Sequence, residues 1–409
     1  MLTELRAENY KSFRSETTCP IRQITVLLGK NNSGKTAAAR VPLLVLSALG
    51  SPQRSPASPL PLQVRGLVYG SSLLELTHGQ LPHAPFTLGA TIAHHYRAPY
   101  RVEPVRISFS VQHRQSLQFG QSAFISEFSA LPFVGTIRWQ RQSASVPKEI
   151  TYDDQAVGGF RGVLPILKDL RSKEVDLVQS NAADQLRQTV HLRSIRASIQ
   201  TIYENRLPLD TTEPSGAEVP YMLNADDELM YFVSRWYGEE LEIKGMSVES
   251  SGSAFSLALR ARADEGPNLS RVGQGAQQVL PVTTFLVGMA RNLVDVSFLT
   301  IEEPELHLHP AAHGALADLV VAAANRRDSN QILIETHSEN FLLRLRRRVA
   351  EGLLRPEQLR LLWFEQTAKE GSVVRQIDVR EDGSVGSWPR GIFAEDLQEV
   401  QGIIRAGRT

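Results

Sequence analysis

The sequence predicts an α/β fold, and four stretches of it carry the prediction. Ile24-Thr25-Val26-Leu27-Leu28 is a short apolar, β-branched run that reads as a buried strand. It leads into Gly29-Lys30-Asn31-Asn32-Ser33-Gly34-Lys35-Thr36, which fits the phosphate-cradling pattern G-x-x-x-x-G-K-[ST]. Near the other end of the chain, Val294 to Ile301 and Gln331 to Ile334 are apolar strands that run into acidic residues and are followed by helical patterns. Strand, loop and helix in this order at both ends of the chain give a mixed sheet flanked by helices.

Composition bounds the answer. With 409 residues the chain is long enough for two or three domains, and 42% hydrophobic with 22% charged residues is the balance of a soluble globular protein. The 44 cationic and 44 anionic side chains cancel, so any nucleic-acid contact has to come from a local patch. Only eight of the cations are Lys, which is better explained by a GC-rich genome than by function. Cys19 is the only cysteine, which excludes a disulfide framework and a cysteine-based zinc site and suits a reducing cytoplasm. No signal-peptide core and no apolar run of membrane-spanning length is present, so we expect a cytoplasmic protein with no membrane partner.

In chain order, Leu2 to Ala7 reads as a first strand, followed by Asn9-Tyr10-Lys11-Ser12-Phe13. An aromatic and a cation placed there suit either an adenine ring or ordinary edge packing. Thr36 to Leu49 reads as a helix stopped by Gly50, with Pro42 expected to kink it. Ser51 to Leu62 holds four prolines and three serines and reads as a surface loop. Phe86 to His95, Val102 to Gln112, Val134 to Gln140 and Lys148 to Tyr152 are β-rich runs that suggest an antiparallel sheet over the nucleotide domain.

From about Gly162 to Gly245 the pattern turns helical, with Val163 to Val178 and Asp184 to Tyr203 apolar at three- and four-residue spacing. Asp210 to Glu218 reads as an exposed loop, and no heptad register is sustained. Pro310 to Asn325 is a helix with proline in its first turn, and a helix from Ser338 has an N-cap and an acidic first turn. Leu359 to Phe364 and Val373 to Val379 read as final strands and Ala394 to Ile404 as a closing helix.

The chemistry follows from the residue types. Glycines in the loop turn backbone N–H groups onto phosphate oxygens, Lys35 brings a charge to the β- and γ-phosphates, and the Thr36 hydroxyl is placed to ligate Mg²⁺. Glu302 and Glu303 end an apolar strand. By position Glu302 takes the metal role and Glu303 the base role toward the attacking water. An imidazole at His337, after a buried strand and before a capped helix, suits the γ-phosphate or that water. Gly273-Gln274-Gly275 lies at a helix start and suits an anion, and Pro281 places that start close to Gln277.

These four features occur in order, with the third in the segment Ile301-Glu302-Glu303-Pro304-Glu305-Leu306-His307-Leu308-His309-Pro310 and the fourth in Glu335-Thr336-His337-Ser338-Glu339. The chain resembles the ABC-type ATPases of the SMC, RecF and OLD (overcoming lysogenization defect) group, in the bacterial branch associated with defence and repair. The opening Leu2 to Phe13, Val279-Leu280-Pro281-Val282 and the ending Trp388 to Phe393 also look like that branch, whereas residues of about 60 to 260 carry little of it.

The resemblance implies a two-lobed ABC-type P-loop ATPase head. Its parts would be an N-terminal portion at 1–155, a short helical insertion at 156–254, and a C-terminal portion at 255–409. It further implies ATP and Mg²⁺ as cofactors and a homodimer that sandwiches two nucleotides. Each site would take Lys35, Thr36, Glu302, Glu303 and His337 from one chain and the Gly273-Gln274-Gly275 loop from the other. The family's signature serine is absent there, with Ser270 slightly upstream, and Gln80 is the candidate for the family's Mg²⁺-contacting glutamine.

Three sharper readings are set aside. His307, His309 and His313 have zinc-like spacing but belong to the family's pattern beside the acids. Arg344 to Arg348 suits a helix C-terminus and a solvated face better than DNA phosphates. About 60 residues follow the His337 helix without an Asp-x-Asp, so no Toprim nuclease is expected in the chain. The expected function is an ATPase that dimerises on ATP and gates DNA or a separately encoded effector such as a nuclease, in anti-phage defence or DNA repair. An ATP-bound scaffold with negligible turnover is the alternative, and the missing Leu-Ser-Gly-Gly-Gln motif argues against a transporter subunit.

Overall fold

The computed structural model describes residues 1–51, 59–93, 104–116, 120–139, 152–205, 213–241, 245–260 and 266–386. The expected closing helix Ala394 to Ile404, the Trp388 to Phe393 ending, and most of the Lys148 to Tyr152 run lie outside the described residues.

A six-stranded sheet carries the chemistry. Its elements, in chain order, are β1 (Ile24–Gly29), α1 (Lys35–Gly50), β2 (Thr189–Leu192), α2 (Gln274–Arg291), β3 (Phe298–Glu302), α3 (Pro310–Arg326), β4 (Gln331–Glu335), α4 (Glu339–Ala350), β5 (Leu359–Thr367) and β6 (Gly371–Ile377). The strand order is β2-β3-β4-β1-β5-β6, parallel throughout except for the β5–β6 pair. β2, β3 and β4 are buried along their whole length, as expected for parallel strands covered on both faces. Because the strands run the same way, the C-terminal ends of β1, β3 and β4 lie side by side, and ligands bind at such ends in open α/β sheets.

A second sheet is antiparallel, in the order Thr17–Pro20, Leu2–Glu8, Phe86–Ile92, Val105–Ser116, Gly120–Leu131, Gly135–Arg138. The two-lobed α/β head read from the sequence is thus the observed architecture. α1 lies between the two sheets and is buried on nearly every side, and it continues through Pro42 as one helix. One core joins α1 and the antiparallel sheet to Leu27, Phe298, Leu333 and Leu362. The other packs α2, α3 and α4 on the opposite face, with Val26, Ile301, Ile334 and Leu361. Alternate residues of each strand therefore face different cores, which is the period-2 rule at work.

Four expectations are corrected. The Gly120–Leu131 strand was not read from the sequence. The register shifts between Ser110 and Val111 along its partner, so Ser126 is an extra residue that breaks the alternation of Ala123 and Ile125 with Phe128 and Ala130. Asp184 to Tyr203 is not a helix: the helix runs Ser172–Arg187, and Thr189-Val190-His191-Leu192 is β2, held by parallel pairing with Phe298 to Ile301. That strand lies within the span read as a helical insertion, which also contains a hairpin, Val157–Arg161 with Leu164–Leu167.

The described part of the Asp210 to Glu218 loop is largely buried, because its chain hydrogen-bonds to Arg193 and Ala197, and Gly216 packs so closely on Pro281 that a Cβ there would lie 2.5 Å from the proline ring. α2 begins at Gln274, three residues before the start inferred from Pro281. Among the described residues no helix is long and apolar enough to cross a membrane.

Candidate functional site

The loop after β1 wraps the start of α1. Gly29 has φ +147° and lies against the Phe364 carbonyl, where a Cβ would approach to 2.4 Å. Gly34 has φ +99° and leaves no room beside Ser12 and Ser372. Both positions therefore need glycine. Gly34 caps α1 without a side-chain hydrogen bond, and no acid sits in the first turn, so the free N–H groups of the helix start favour an anion. Lys35 is 3% exposed and donates to the carbonyls of Gly29 (3.0 Å) and Lys30 (2.9 Å), which holds the loop closed around its own ammonium.

A cavity of about 900 Å³ opens above this loop. Asn31, Asn32, Ser33, Gly34, Lys35 and Thr36 form its floor, and Glu303, Glu335 and His337 one wall. Gln80, at the end of a short 3₁₀ turn (His78–Gln80), lines it from the antiparallel sheet's side. Most residues singled out in the sequence thus meet in one place.

Two groups do not. The Glu302 carboxylate is absent from the lining and is held behind it: Arg40 donates through Nε to Oε1 (2.7 Å) and through Nη2 to Oε2 (3.0 Å), and His191 Nε2 lies 2.9 Å from Oε1. Gly273, Gln274 and Gly275 start α2 and also lie outside the cavity. Tyr10 is buried against Phe86, ring centroids 6.0 Å apart, which leaves edge packing rather than an adenine contact, while Lys11 does reach the lining.

The acidic turn is tightly held. Glu303 adopts φ +45°, and its N–H donates to the Glu335 carbonyl at 2.7 Å, which bends the chain sharply off β3. Glu305 accepts from the Thr336 hydroxyl (2.7 Å) and the His337 N–H (2.8 Å), tying the histidine turn to the acidic turn. Behind both, the buried Arg196 guanidinium donates to the carbonyls of Glu302 (2.8 Å) and Glu303 (3.2 Å).

Electrostatics divide the acids. Burial pushes the Glu302 carboxyl up, but hydrogen bonds from His191 and Arg40 outweigh it and hold it at about 2. Glu335 is pushed up to about 7 by burial, with Glu302 and Glu303 adding to it, against the Thr36 hydrogen bond and Lys35. Partial desolvation, with the Lys35 ammonium, lowers the exposed His337 imidazole against Glu303 and Glu305, which favours its neutral form. Arg196 is lowered to about 10 by burial.

Sequence reasoning assigned no role to Arg40, His191, Arg196, Glu305 or Glu335. Arg40 falls one helical turn after Thr36, a spacing that places both on one face of α1 and was readable. His191 and Arg196 lie in the stretch mistaken for helix and gave no local signal.

Hydroxyl, carboxylate and ammonium groups at the N-terminus of a helix suit a polyphosphate and a hard divalent cation. Buried, unpartnered oxygens at Ser33 Oγ and Glu335 Oε2 fit that donor set. Residues 173–342 match the family model of an AAA ATPase domain. The match spans the Gly273 to Gly275 turn, the acidic turn and His337. The P-loop at 29–36 lies outside it and is an independent observation.

No curated protein matches the chain. Solved structures similar to it include an SMC head domain from Thermotoga maritima, at 11% identity and TM-score 0.44 over 92% of this chain and 99% of that one. An SmcHead bound to the C-winged helix domain of ScpA is similar at 12% identity and TM-score 0.49, over 93% and 98%. An Smc head domain with an extended coiled coil, bound to the C-terminal domain of ScpA derived from Pyrococcus furiosus, is similar at 11% and 0.47, over 100% and 99%. Among the described residues no group of three or more His, Cys, Asp or Glu is arranged to hold a metal ion; His313 Nδ1 lies 2.7 Å from Ser338 Oγ and its Nε2 3.3 Å from the Leu308 carbonyl.

Proposed function

We propose that the chain binds ATP with Mg²⁺ in the P-loop cavity and hydrolyses it. Two chains would close on the nucleotides as a homodimer, and this switch would gate DNA or a separately encoded effector such as a nuclease, in anti-phage defence or DNA repair. One observation carries the hydrolytic part: Lys35, Thr36, Glu303 and His337, from three neighbouring strand ends, line one cavity.

The N-terminus of α1 and Lys35 bind and orient the triphosphate. Thr36 and Glu302 are the residues to hold Mg²⁺, with Gln80 on the same cavity; the cation, when bound, neutralises charge across the β- and γ-phosphates. Glu302 takes that role by releasing Arg40 or His191. Glu303 orients the attacking water and accepts its proton, and a neutral His337 donates or accepts one hydrogen bond at the γ-phosphate or that water.

The dimer is supported by Gly273 to Gly275. They open the 18-residue helix α2 with no side-chain cap and no first-turn acid and are not part of the lining of their own chain's cavity, an arrangement that suits an anion such as a nucleotide on a partner copy. The effector and its setting rest on the family resemblance. The test is phosphate release from Mg²⁺·ATP by the full chain, together with ATP-dependent association by light scattering. A folded chain that neither binds ATP nor changes its association state overturns the reading.

A further inference from the structure

Three carboxylates, those of Glu302, Glu303 and Glu335, stand at the ends of the neighbouring strands β3 and β4, and the one that touches the Thr36 hydroxyl is not the one the motif nominates. Glu335 ends β4, the strand between β1, which carries the P-loop, and β3, which carries the acids; its register partners are Leu27 and Glu302. Its Oε1 accepts from Thr36 Oγ1 at 2.9 Å and lies 3.9 Å from Lys35 Nζ. Its Oε2 has no partner, although the residue is 4% exposed and lines the cavity.

We propose that Glu335, with Thr36, is a carboxylate ligand of the divalent cation that accompanies the nucleotide, bound directly or through one water. This rests on the reading of the cavity as a nucleotide site and assigns its metal contact. Two physical points carry it. A buried carboxylate oxygen without a hydrogen bond is costly, and a hard dication satisfies such an oxygen together with a neighbouring hydroxyl. Glu302, the motif's nominee, already has both oxygens engaged by Arg40 and His191, so recruiting it breaks two or three charge-assisted hydrogen bonds. Glu335 holds the Thr36 hydroxyl and faces Lys35 through Oε1 alone, and its Oε2 is available without breaking a hydrogen bond.

The experiment uses Mn²⁺ as a spectroscopically visible cation, titrated into the full chain with a non-hydrolysable ATP analogue, for wild type, Glu335→Gln and Glu302→Gln. Binding of the analogue in EDTA is measured in parallel. Glu335→Gln keeps the shape and can still accept from Thr36. It is expected to weaken Mn²⁺ binding about tenfold or more without weakening metal-free analogue binding, since it removes a negative charge beside Lys35, and Glu302→Gln is expected to weaken Mn²⁺ less. If Glu335→Gln does not fold, Glu335→Ala, which also removes the carboxylate, is read instead, with the same loss expected.

Wild-type Mn²⁺ affinity in a folded Glu335 variant, or the whole loss appearing in Glu302→Gln, overturns the proposal. A wild-type chain that binds no analogue at all overturns the nucleotide reading and the assignment with it, and is recognised by the EDTA arm.

Discussion

Arg196 and Gln278 exchange hydrogen bonds in both directions. The Arg196 N–H donates to Gln278 Oε1 (2.9 Å), Gln278 Nε2 donates back to the Arg196 carbonyl (3.2 Å), and Arg196 Nη1 reaches the Gln278 carbonyl (3.2 Å). Gln278 lies one turn into α2 from Gly273 to Gly275, and the same guanidinium holds the carbonyls of Glu302 and Glu303. The start of α2 and the acidic turn are therefore joined through one buried cation. Arg196→Met leaves those carbonyls unmatched and is expected to destabilise the fold by at least about 1–3 kcal/mol. Denaturant unfolding of the variant measures it, with an unchanged midpoint counting against the link.

Lys35→Ala removes the ammonium that faces the cavity and that braces the Gly29 and Lys30 carbonyls. The expected outcome is loss of ATP binding in a chain that still folds, because the cores lie elsewhere. Calorimetric titration with ATP checks it, and wild-type affinity in a folded variant sinks the assignment.

Glu303→Gln keeps size and hydrogen bonding but removes the base. Turnover is expected to fall on the order of 10²–10⁴-fold while ATP still binds, so that a closed dimer accumulates. Phosphate release and light scattering, run side by side on wild type and variant, separate a motor from a scaffold. A wild type that already forms a lasting ATP dimer without releasing phosphate is a scaffold.

Glu218 gives a pH test away from the cavity. It is 4% exposed, its Oε1 has no partner, and burial pushes its carboxyl up to about 7, partly offset by backbone hydrogen bonds. A carboxyl raised in the folded state holds its proton there after the unfolded chain has lost it. Its contribution is therefore whole below the ordinary carboxylate value and is lost as pH rises toward about 7. Glu218→Gln should flatten that fall and make the protein more stable than wild type at pH 8, by roughly 1–3 kcal/mol. Thermal melts at pH 5 and pH 8 decide it. A variant no more stable at pH 8 contradicts the account.

DNA binding by the isolated chain is expected to be weak and without sequence preference. Formal charge is zero, and the α4 arginines are engaged: Arg344 and Arg348 pair with Asp318, Arg347 and Arg348 with Glu351. Fluorescence anisotropy with duplexes of unrelated sequence at physiological salt tests this. Tight binding to only one of them contradicts it.

The sequence by itself determined the parts of the site whose chemistry is local. The spacing of Gly29, Gly34, Lys35 and Thr36 fixes a loop between strand and helix, and a strand that ends in Glu302-Glu303 or leads to His337 announces itself by an apolar run that stops. Only the tertiary structure decided which carboxylate touches Thr36. Parallel register sets Glu335 beside both Leu27 and Glu302, and a strand's register across more than 300 residues of chain has no sequence-local signature.

The same holds for His191 and Arg196, which reach the acidic turn because a short strand, β2, pairs with β3 from over 100 residues away. Its four residues are too few for periodicity to distinguish strand from helix, so packing made the choice: all four are buried, and their backbone pairs in register with Phe298 to Ile301 of β3.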